Sequence, residues 1–416
     1  MNLEIKNFGK IKEANIDLEG LTVITGQNDT GKSTIGKVLF WIINGINTYT
    51  SRSEELLKRF YENNLSSILP YLARKNYQIP KELEQFTDNS LTNKPKSLSF
   101  LEIKQATEEA IAFIKESNLL QDNAVKKYYD QIQNFIDIND DGKLALILFF
   151  DNSDIFKDNL NNSVNVETVA KIDLYLTKEN IFSLQTTKEG KFGQINFKRD
   201  KFKILWSNID FIETPLMLDA INREINSKEL WSDKKIWERK FFKKYKEKLI
   251  IKDNSDSFDT FNSLLEANII IDKNTGKLLF KKNNNSKELD MLNIATGAKS
   301  FILLDILKKV GNFETNSITI FDEPENHLHP EWQLKYAEQL VKFVKDGANI
   351  ILTSHSPYMI KALKFYANKY NLDREKYRFL LSEKVENNWA KINDVTDEIY
   401  KIFNLLGKPL YDIEYV

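Results

Sequence analysis

The stretch Gly26-Gln27-Asn28-Asp29-Thr30-Gly31-Lys32-Ser33, with Thr34 directly behind it, decides the fold. It fits the phosphate-loop pattern G-x-x-x-x-G-K-S/T. The glycines let backbone N–H groups surround phosphates, Lys32 neutralises phosphate oxygens, and Ser33 offers a hydroxyl to Mg²⁺. The flanking sequence agrees, because residues 21–25 have the pattern of a buried strand and residues 32–44 that of a helix. The stretch therefore predicts nucleotide binding by Gly26 and residues 28–34.

Two carboxylates follow a second apolar strand far downstream. Residues 318–321, Ile-Thr-Ile-Phe, lead directly into Asp322 and Glu323. In an open parallel sheet, ligands bind at the carboxyl ends of the strands, so both acids are expected beside the phosphate loop. Asp322 is predicted to hold Mg²⁺ together with Ser33, and Glu323 to orient and deprotonate the attacking water. Two ordinary solvated acids at a strand end are the alternative.

The three histidines of the chain, His327, His329 and His355, all lie in this late region. His355 follows the predicted strand 349–353, where a neutral imidazole can reach the γ-phosphate and the attacking water. Two alternatives remain open. A zinc site could form from His327, His329 and Asp322, and Ser354 with His355 could form a hydrolase pair, although adjacent residues on one turn seldom face each other.

The order of these motifs resembles the ATPase head of ABC-type ATPases, in particular the SMC, Rad50 and RecF-like branch. The run Asp322-Glu323-Pro324-Glu325-Asn326-His327-Leu328-His329-Pro330 resembles a stretch of OLD-family and related bacterial defence ATPases. The resemblance covers residues 1–47 and about 168–400. It implies an α/β fold, a P-loop ATPase head with a parallel central sheet, an antiparallel sublobe and a helical insertion. It also implies that the protein binds ATP and Mg²⁺, and that Glu323, Lys32 and His355 catalyse the hydrolysis of ATP.

The resemblance further implies that two heads sandwich two ATP molecules, each head offering a signature segment to the other. The candidate signature is residues 293–300, with Thr296 and Gly297 at a helix N-terminus facing the γ-phosphate; a plain helix start is the alternative. The usual glutamine loop is replaced by Phe211-Ile212-Glu213-Thr214-Pro215, so Glu213 is a weak candidate on the metal side.

Four segments are expected along the chain. Residues 1–47 and 168–400 form the ATPase head, residues 48–167 a helical insertion, and residues 401–416 a C-terminal tail. In the insertion, Ser99 and Glu102 form a capping-box pattern ahead of helical apolar spacing. In the second head segment, residues 274–276 give a hairpin signal between two strands. Residues 137–148 imitate a calcium loop, but Leu148 occupies the position of its essential Glu, so calcium binding is rejected.

Composition narrows the class of protein. The 416 residues carry 59 basic and 60 acidic side chains, so the net charge is −1 and any contact with nucleic acid must come from a local patch. The absence of cysteine excludes disulfides, thiolate metal sites and cysteine nucleophiles. No apolar run approaches the ~18 residues of a membrane span, and the N-terminus has no signal-peptide pattern. We therefore expect a cytoplasmic protein that does not contact the membrane.

One local patch deserves a nucleic-acid interpretation. Between Lys234 and Lys248, eight basic side chains alternate with four aromatic ones, which could grip a phosphate backbone and stack on bases. The alternative is an ordinary helix that buries its aromatic residues and leaves its lysines in solvent.

The function implied is a switch. The chain continues for about sixty residues beyond His355, fewer than the Toprim nuclease of OLD proteins needs. The resemblance therefore favours stand-alone ATPases of bacterial anti-phage systems, similar to PtuA of Septu and retron systems or to the PARIS ATPase. We expect a homodimer or higher even-numbered oligomer formed through ATP, acting with a separate nuclease or toxin effector. The alternatives are a DNA repair or recombination ATPase and a nucleotide-gated scaffold with little turnover.

Overall fold

The computed structural model describes residues 1–84, 99–136, 169–186, 192–198, 208–219, 236–245, 247–248, 265–272, 275, 277–283 and 288–414. The chain divides into two compact units, residues 1–44 with 154–416, and residues 45–153. The calcium-like stretch 137–148 and the expected boundary at 167/168 lie outside the described residues.

The strands found in the described residues all belong to the first unit. Their bounds are β1 (Asn2–Phe8), β2 (Ile11–Asp17), β3 (Leu21–Gly26), β4 (Lys171–Leu176), β5 (Glu179–Thr186), β6 (Phe192–Phe197), β7 (Asn208–Ile212), β8 (Ala267–Ile271), β9 (Leu278–Lys282), β10 (Glu288–Asp290), β11 (Ser317–Asp322), β12 (Asn349–Thr353), β13 (Tyr377–Lys384) and β14 (Ala390–Asp394).

Within the described ranges, eleven strands form one mixed sheet in the order β6-β5-β4-β1-β2-β14-β13-β3-β12-β11-β7. The central strands β13, β3, β12, β11 and β7 pair in parallel, while β6, β5, β4, β1 and β2 form an antiparallel part. Strands β8, β9 and β10 make a small antiparallel sheet, and the predicted hairpin signal joins β8 to its antiparallel partner β9, although Asn274 and Gly276 lie outside the described residues. The predicted α/β fold with a parallel sheet and an antiparallel sublobe is confirmed.

The helices are α1 (Lys32–Arg74), α2 (Lys81–Glu84), α3 (Phe100–Glu116), α4 (Asn123–Ile136), α5 (Ile236–Tyr245), α6 (Thr296–Lys309), α7 (Pro330–Lys345), α8 (Pro357–Lys369) and α9 (Tyr400–Glu414). Helices α6, α7 and α8 share one hydrophobic core with Val23, Phe321 and Leu352 of the central strands. The first turns of α1 pack on the opposite face, where a Cβ on Gly36 would lie 2.8 Å from Cγ2 of Ile320.

The second unit has a core of its own. Apolar residues recur at helical spacing in its part of α1 and pack with α3 and α4; they include Leu57, Tyr61, Leu65, Ile103, Ile111, Val125 and Ile132. The capping box at the start of α3 is confirmed, since the hydroxyl of Ser99 accepts from the amide of Glu102 and the Glu102 carboxylate accepts from the amide of Ser99.

Three helix and strand predictions were incomplete. We expected the helix after the phosphate loop to end near Asn44, but α1 continues to Arg74, because no proline interrupts it before Pro70 and apolar spacing persists. Strand β14 was not predicted, since it is held by pairing with the distant β2 and with β13. The predicted tail 401–416 is helical as far as Glu414, despite Pro409 inside α9. Among the described residues, none of the helices combines the length and the apolar character that crossing a bilayer requires.

Candidate functional site

The phosphate loop connects β3 to α1 in a backbone shape that favours glycine at two positions. Gly26 has a φ of 140°, and a Cβ there would lie 2.1 Å from the carbonyl oxygen of Ser382. Gly31 has a φ of 79°, in the left-handed region. The loop is closed by the buried Thr30, whose hydroxyl donates to the carbonyl of Gln27 at 2.8 Å. The hydroxyl of Ser382 donates in turn to the carbonyl of Thr30 at 3.1 Å.

Lys32 lies under this loop at the first position of α1. Its side chain is only 6% exposed, and Nζ donates to the carbonyl of Gln27 at 2.6 Å. Burial lowers the pKa of Lys32, while the carboxylates of Glu323 and Asp322 act to raise it. The loop therefore holds a buried cation that neighbours two acids and can exchange its carbonyl partner for a phosphate oxygen.

Asp322, at the end of β11, connects the phosphate loop to the next strand. Its Oδ1 accepts from the hydroxyl of Ser33 at 2.7 Å and from the hydroxyl of Thr353 at 2.6 Å. Hydroxyl and carboxylate oxygens are the ligands that Mg²⁺ takes alongside substrate phosphates, so Ser33 and Asp322 fit the predicted magnesium side of the site.

Glu323 and His355 are in direct contact, with Nε2 of His355 2.8 Å from Oε1 of Glu323, a hydrogen-bond distance. The other oxygen, Oε2, accepts from the side-chain Nδ2 of Asn326 at 3.2 Å. Glu323 has a φ of 50°, an uncommon conformation for a residue with a side chain, which proteins keep where the surroundings enforce it. Here its N–H donates to both the carbonyl (3.2 Å) and the hydroxyl (3.0 Å) of Thr353. The structure thus brings Lys32, Ser33, Asp322, Glu323 and His355 into one connected site.

The candidate signature lies at the start of α6, which begins at Thr296. The N-cap residue, Ala295, makes no side-chain hydrogen bond, so the first amides of the helix have no cap from it. Gly297 lies against the loop after β11, since a Cβ there would be 3.3 Å from the carbonyl oxygen of His327. Lys299 is buried and pairs with Asp219 at 2.6 Å. Thr296 and Gly297 therefore occupy a helix N-terminus as predicted, and their binding role stays a prediction.

Glu213, at the end of β7, pairs with Lys37 at 3.7 Å. It borders a cavity of about 110 Å³ next to the two acids. The cavity is lined by residues 212–215, Ser300, Leu303, residues 321–324, Asn326, His327 and Tyr336.

The alternative zinc site is not supported. In the part of the chain that the structure describes, no three His, Cys, Asp or Glu side chains are grouped closely enough to hold a metal ion. His329 instead caps α7, with its Nδ1 accepting from the amide of Glu331 at 3.4 Å.

The nucleic-acid interpretation of residues 234–248 needs correction for three lysines, which point inward. Lys240 donates to the carbonyl of Ile209 at 2.8 Å and Lys248 to that of Val310 at 2.7 Å. Lys244 pairs with the buried Asp210 at 3.0 Å. Burial lowers the pKa of both Lys240 and Lys244. Lys240 and Lys244 hold α5 to its neighbours, and Lys248 makes a similar contact beyond the helix, because buried backbone carbonyls and a buried carboxylate need donors.

Three residues of the site were missed by the sequence analysis as contributors: Thr353, Asn326 and Glu325. Asn326 and Glu325 lie inside the run 322–330 quoted for the resemblance, yet the pattern assigns them no partner. Thr353 ends an apolar strand, and a threonine there looks like an ordinary β-branched strand residue. Only the parallel pairing of β11 with β12, which sets Asp322 opposite Thr353, reveals its role.

The chain is similar to one curated protein over a short stretch and to solved SMC head structures over nearly its whole length. Over 54 residues it is 43% identical to the Septu protein PtuA of Bacillus thuringiensis, an alignment that spans 13% of each chain. An SMC head bound to the C-terminal winged-helix domain of ScpA aligns with 96% of this chain and 98% of its own, at 13% identity and a TM-score of 0.44. The SMC head of Thermotoga maritima covers 95% and 98%, at 12% identity and a TM-score of 0.41.

The sequence profile of the AAA ATPase domain matches residues 1–360, which include the phosphate loop, both acids and His355. Since this match spans well over half of the 416 residues, the chain belongs to the AAA ATPase domain family (AAA_15).

Proposed function

We propose that this protein is a Mg²⁺-dependent ATPase that dimerises through ATP and acts as the switch of a bacterial anti-phage defence system. The observation that carries the proposal is the connected site of Lys32, Ser33, Asp322, Glu323 and His355. Membership in the AAA ATPase domain family supports nucleotide binding, and the short likeness to PtuA supports a role in defence. A cytoplasmic location is part of the proposal.

The residues divide the work of hydrolysis. Backbone N–H groups of residues 26–34 and the ammonium of Lys32 bind the β- and γ-phosphates. Ser33 and Asp322 would hold Mg²⁺, which when bound neutralises charge on the phosphates. Glu323 accepts the proton of the attacking water, and the hydrogen bond from His355 Nε2 keeps its carboxylate oriented.

Dimerisation would couple this chemistry to a signal. Thr296 and Gly297 lie at an N-terminus of α6 whose amides have no side-chain cap from Ala295, a suitable place for the γ-phosphate bound by a second copy. ATP that bridges two copies makes dimer stability depend on nucleotide. A separate nuclease or toxin effector would respond to the closed or open state.

Two experiments test the proposal. Phosphate release by the purified protein should require Mg²⁺ and fall at least about 100-fold in Glu323→Gln, the loss expected when a general base is removed.

Tagged Glu323→Gln protein, recovered from the native host with ATP present, should bring down a nuclease or toxin-like protein. Recovery of DNA and repair factors would instead favour a repair ATPase. Turnover unchanged by Glu323→Gln would refute the assigned chemistry.

A further inference from the structure

A buried carboxylate outside the proposed catalytic set lies close to His355. Glu325 is 7% exposed and belongs to the loop between β11 and α7. Its Oε1 accepts from the hydroxyl of Ser354 (2.7 Å), the amide of His355 (2.7 Å) and the amide of Ser356 (3.2 Å). Its Oε2 is buried and has no hydrogen-bond partner among the described residues.

This arrangement costs free energy, because a buried carboxylate oxygen without a donor loses its hydration. An apolar residue of similar size would fill the same space without that cost. Only a hydrogen-bond acceptor can bind the donors of the three consecutive residues 354–356. Ser356 is also the N-cap of α8, so the hydrogen bonds to Glu325 fix the start of that helix as well.

The histidine is consequently held at two points by one loop. Glu323 contacts the imidazole at Nε2, and Glu325, two residues further along, accepts from the main-chain N–H of the same residue. Only Pro324, whose φ is fixed by its ring, separates Glu323 from Glu325. A shift of this loop therefore moves both contacts together. The relative position of the carboxylate of Glu323 and the imidazole is therefore set by Glu325.

We propose that Glu325 is the positioning residue for His355: its Oε1 fixes the backbone of residues 354–356 so that the imidazole meets Glu323. This inference rests on the proposed ATPase function. It assigns Glu325 no contact with substrate, and its role requires an acceptor atom rather than a negative charge.

Three substitutions separate an acceptor from a charge and from a space-filling group. Glu325→Gln keeps the accepting oxygen, and kcat should stay within about threefold of the wild type. Glu325→Leu removes the acceptor, and kcat should fall about 30- to 100-fold, as expected for a misplaced catalytic group, with the Kd for ATP changed less than about threefold. Glu325→Asp is too short to reach all three donors and should fall between the two. Glu338→Leu, a similar change on α7 remote from His355, is the matched control and should leave kcat unchanged.

A double-mutant cycle tests whether Glu325 acts through the histidine. If it does, adding Glu325→Leu to His355→Ala should lower kcat by less than about threefold beyond His355→Ala alone, because coupled residues give non-additive effects. Independent losses that multiply, or a loss of ATP binding in Glu325→Leu that matches the loss of kcat, would overturn the inference and leave Glu325 a structural residue.

A second readout does not depend on turnover. The chain has three histidines, so the imidazole resonance of His355 can be assigned by its loss in His355→Ala. In nucleotide-free protein, this resonance should coincide in wild type and Glu325→Gln and move in Glu325→Leu and Glu325→Asp. An unmoved resonance in folded Glu325→Leu and Glu325→Asp would overturn the positioning role even if the wild type hydrolyses ATP. Absence of hydrolysis with a moved resonance would refute the proposed ATPase function alone.

Discussion

At the scale of single residues, the site depends on backbone conformations that can be predicted from the sequence only in part. The glycines of the phosphate loop are part of a recognisable pattern, so a loop that exposes its backbone N–H groups at Gly26 and Gly31 was predicted. The left-handed conformation of Glu323 was not, because a glutamate at a strand end has no such preference. It arises from two bonds between its amide and Thr353, a contact that exists only after β11 and β12 pair.

Gly26→Ala should disrupt the phosphate loop. The new Cβ would lie 2.1 Å from the carbonyl oxygen of Ser382, so β3 or β13 must move. We expect a loss of about 1–3 kcal/mol in the free energy of unfolding, typical of an enforced backbone conflict, and weaker binding of a fluorescent ATP analogue. Gly297→Ala, whose nearest contact would be 3.3 Å, is the control and should change stability by less than about 1 kcal/mol. Equal stability of the two variants would contradict this description of the loop.

Glu325→Gln should stabilise the protein in a pH-dependent way. Burial raises the pKa of Glu325 above 4.5, against opposing hydrogen bonds from residues 354–356. The stabilising contribution of protonated Glu325 is present below its unfolded-state pKa and is lost as the pH rises through the higher folded-state pKa. The wild type should therefore lose stability as the pH rises above about 4.5, whereas Glu325→Gln should not. The free energy of unfolding of Glu325→Gln minus that of the wild type should increase with pH.

Urea unfolding across this pH range measures that difference. Glu108→Gln, which replaces an exposed glutamate on α3, corrects for the loss of one negative charge. A difference that shrinks with rising pH would mean that the folded protein favours the ionised form of Glu325.

At the scale of elements, α5 shows why a sequence pattern can mislead. A run of lysines between aromatic residues has the composition of a nucleic-acid surface, and only tertiary contacts reveal which lysines are used internally. Lys240 and Lys244 lie four residues apart on α5, which places them on one helical face, while Lys248 lies beyond the end of this helix. That face meets Ile209 and Asp210, and Lys248 donates to the carbonyl of Val310, so all three lysines have structural partners.

Lys244→Met and Lys243→Met separate the structural lysines from the exposed one. Removal of Lys244 leaves the buried Asp210 without its cation, so we expect a loss of about 3 kcal/mol in the free energy of unfolding. Lys243 is exposed and pairs with Glu247 at 3.8 Å, so its removal should change stability by less than about 0.5 kcal/mol. Chemical denaturation of the two variants measures this. Unchanged stability in Lys244→Met, together with lost DNA-stimulated turnover, would restore the nucleic-acid interpretation.

At the scale of the whole molecule, the fold class and the main site residues could be predicted because each has a local signal. One apolar strand precedes the phosphate loop and another leads into Asp322, and a helical pattern follows each of them. The parts that could not be predicted depend on distant pairing. Strand β14 is short and polar and forms only between β2 and β13, and Glu325 acquires its role only by meeting residues 354–356. The full length of α1 depends on the second core at Leu57, Tyr61 and Leu65.

The measurement that tests the central claim most directly is sedimentation velocity of Glu323→Gln protein with and without Mg²⁺ and ATP. Because this variant should bind ATP without hydrolysing it, we predict that ATP shifts the protein from its 48.6 kDa chain mass to twice that mass or a higher even multiple. A non-hydrolysable analogue should produce the same shift with the wild type. A protein that binds ATP, as measured by a fluorescent analogue, and still sediments as a 48.6 kDa monomer would contradict the account.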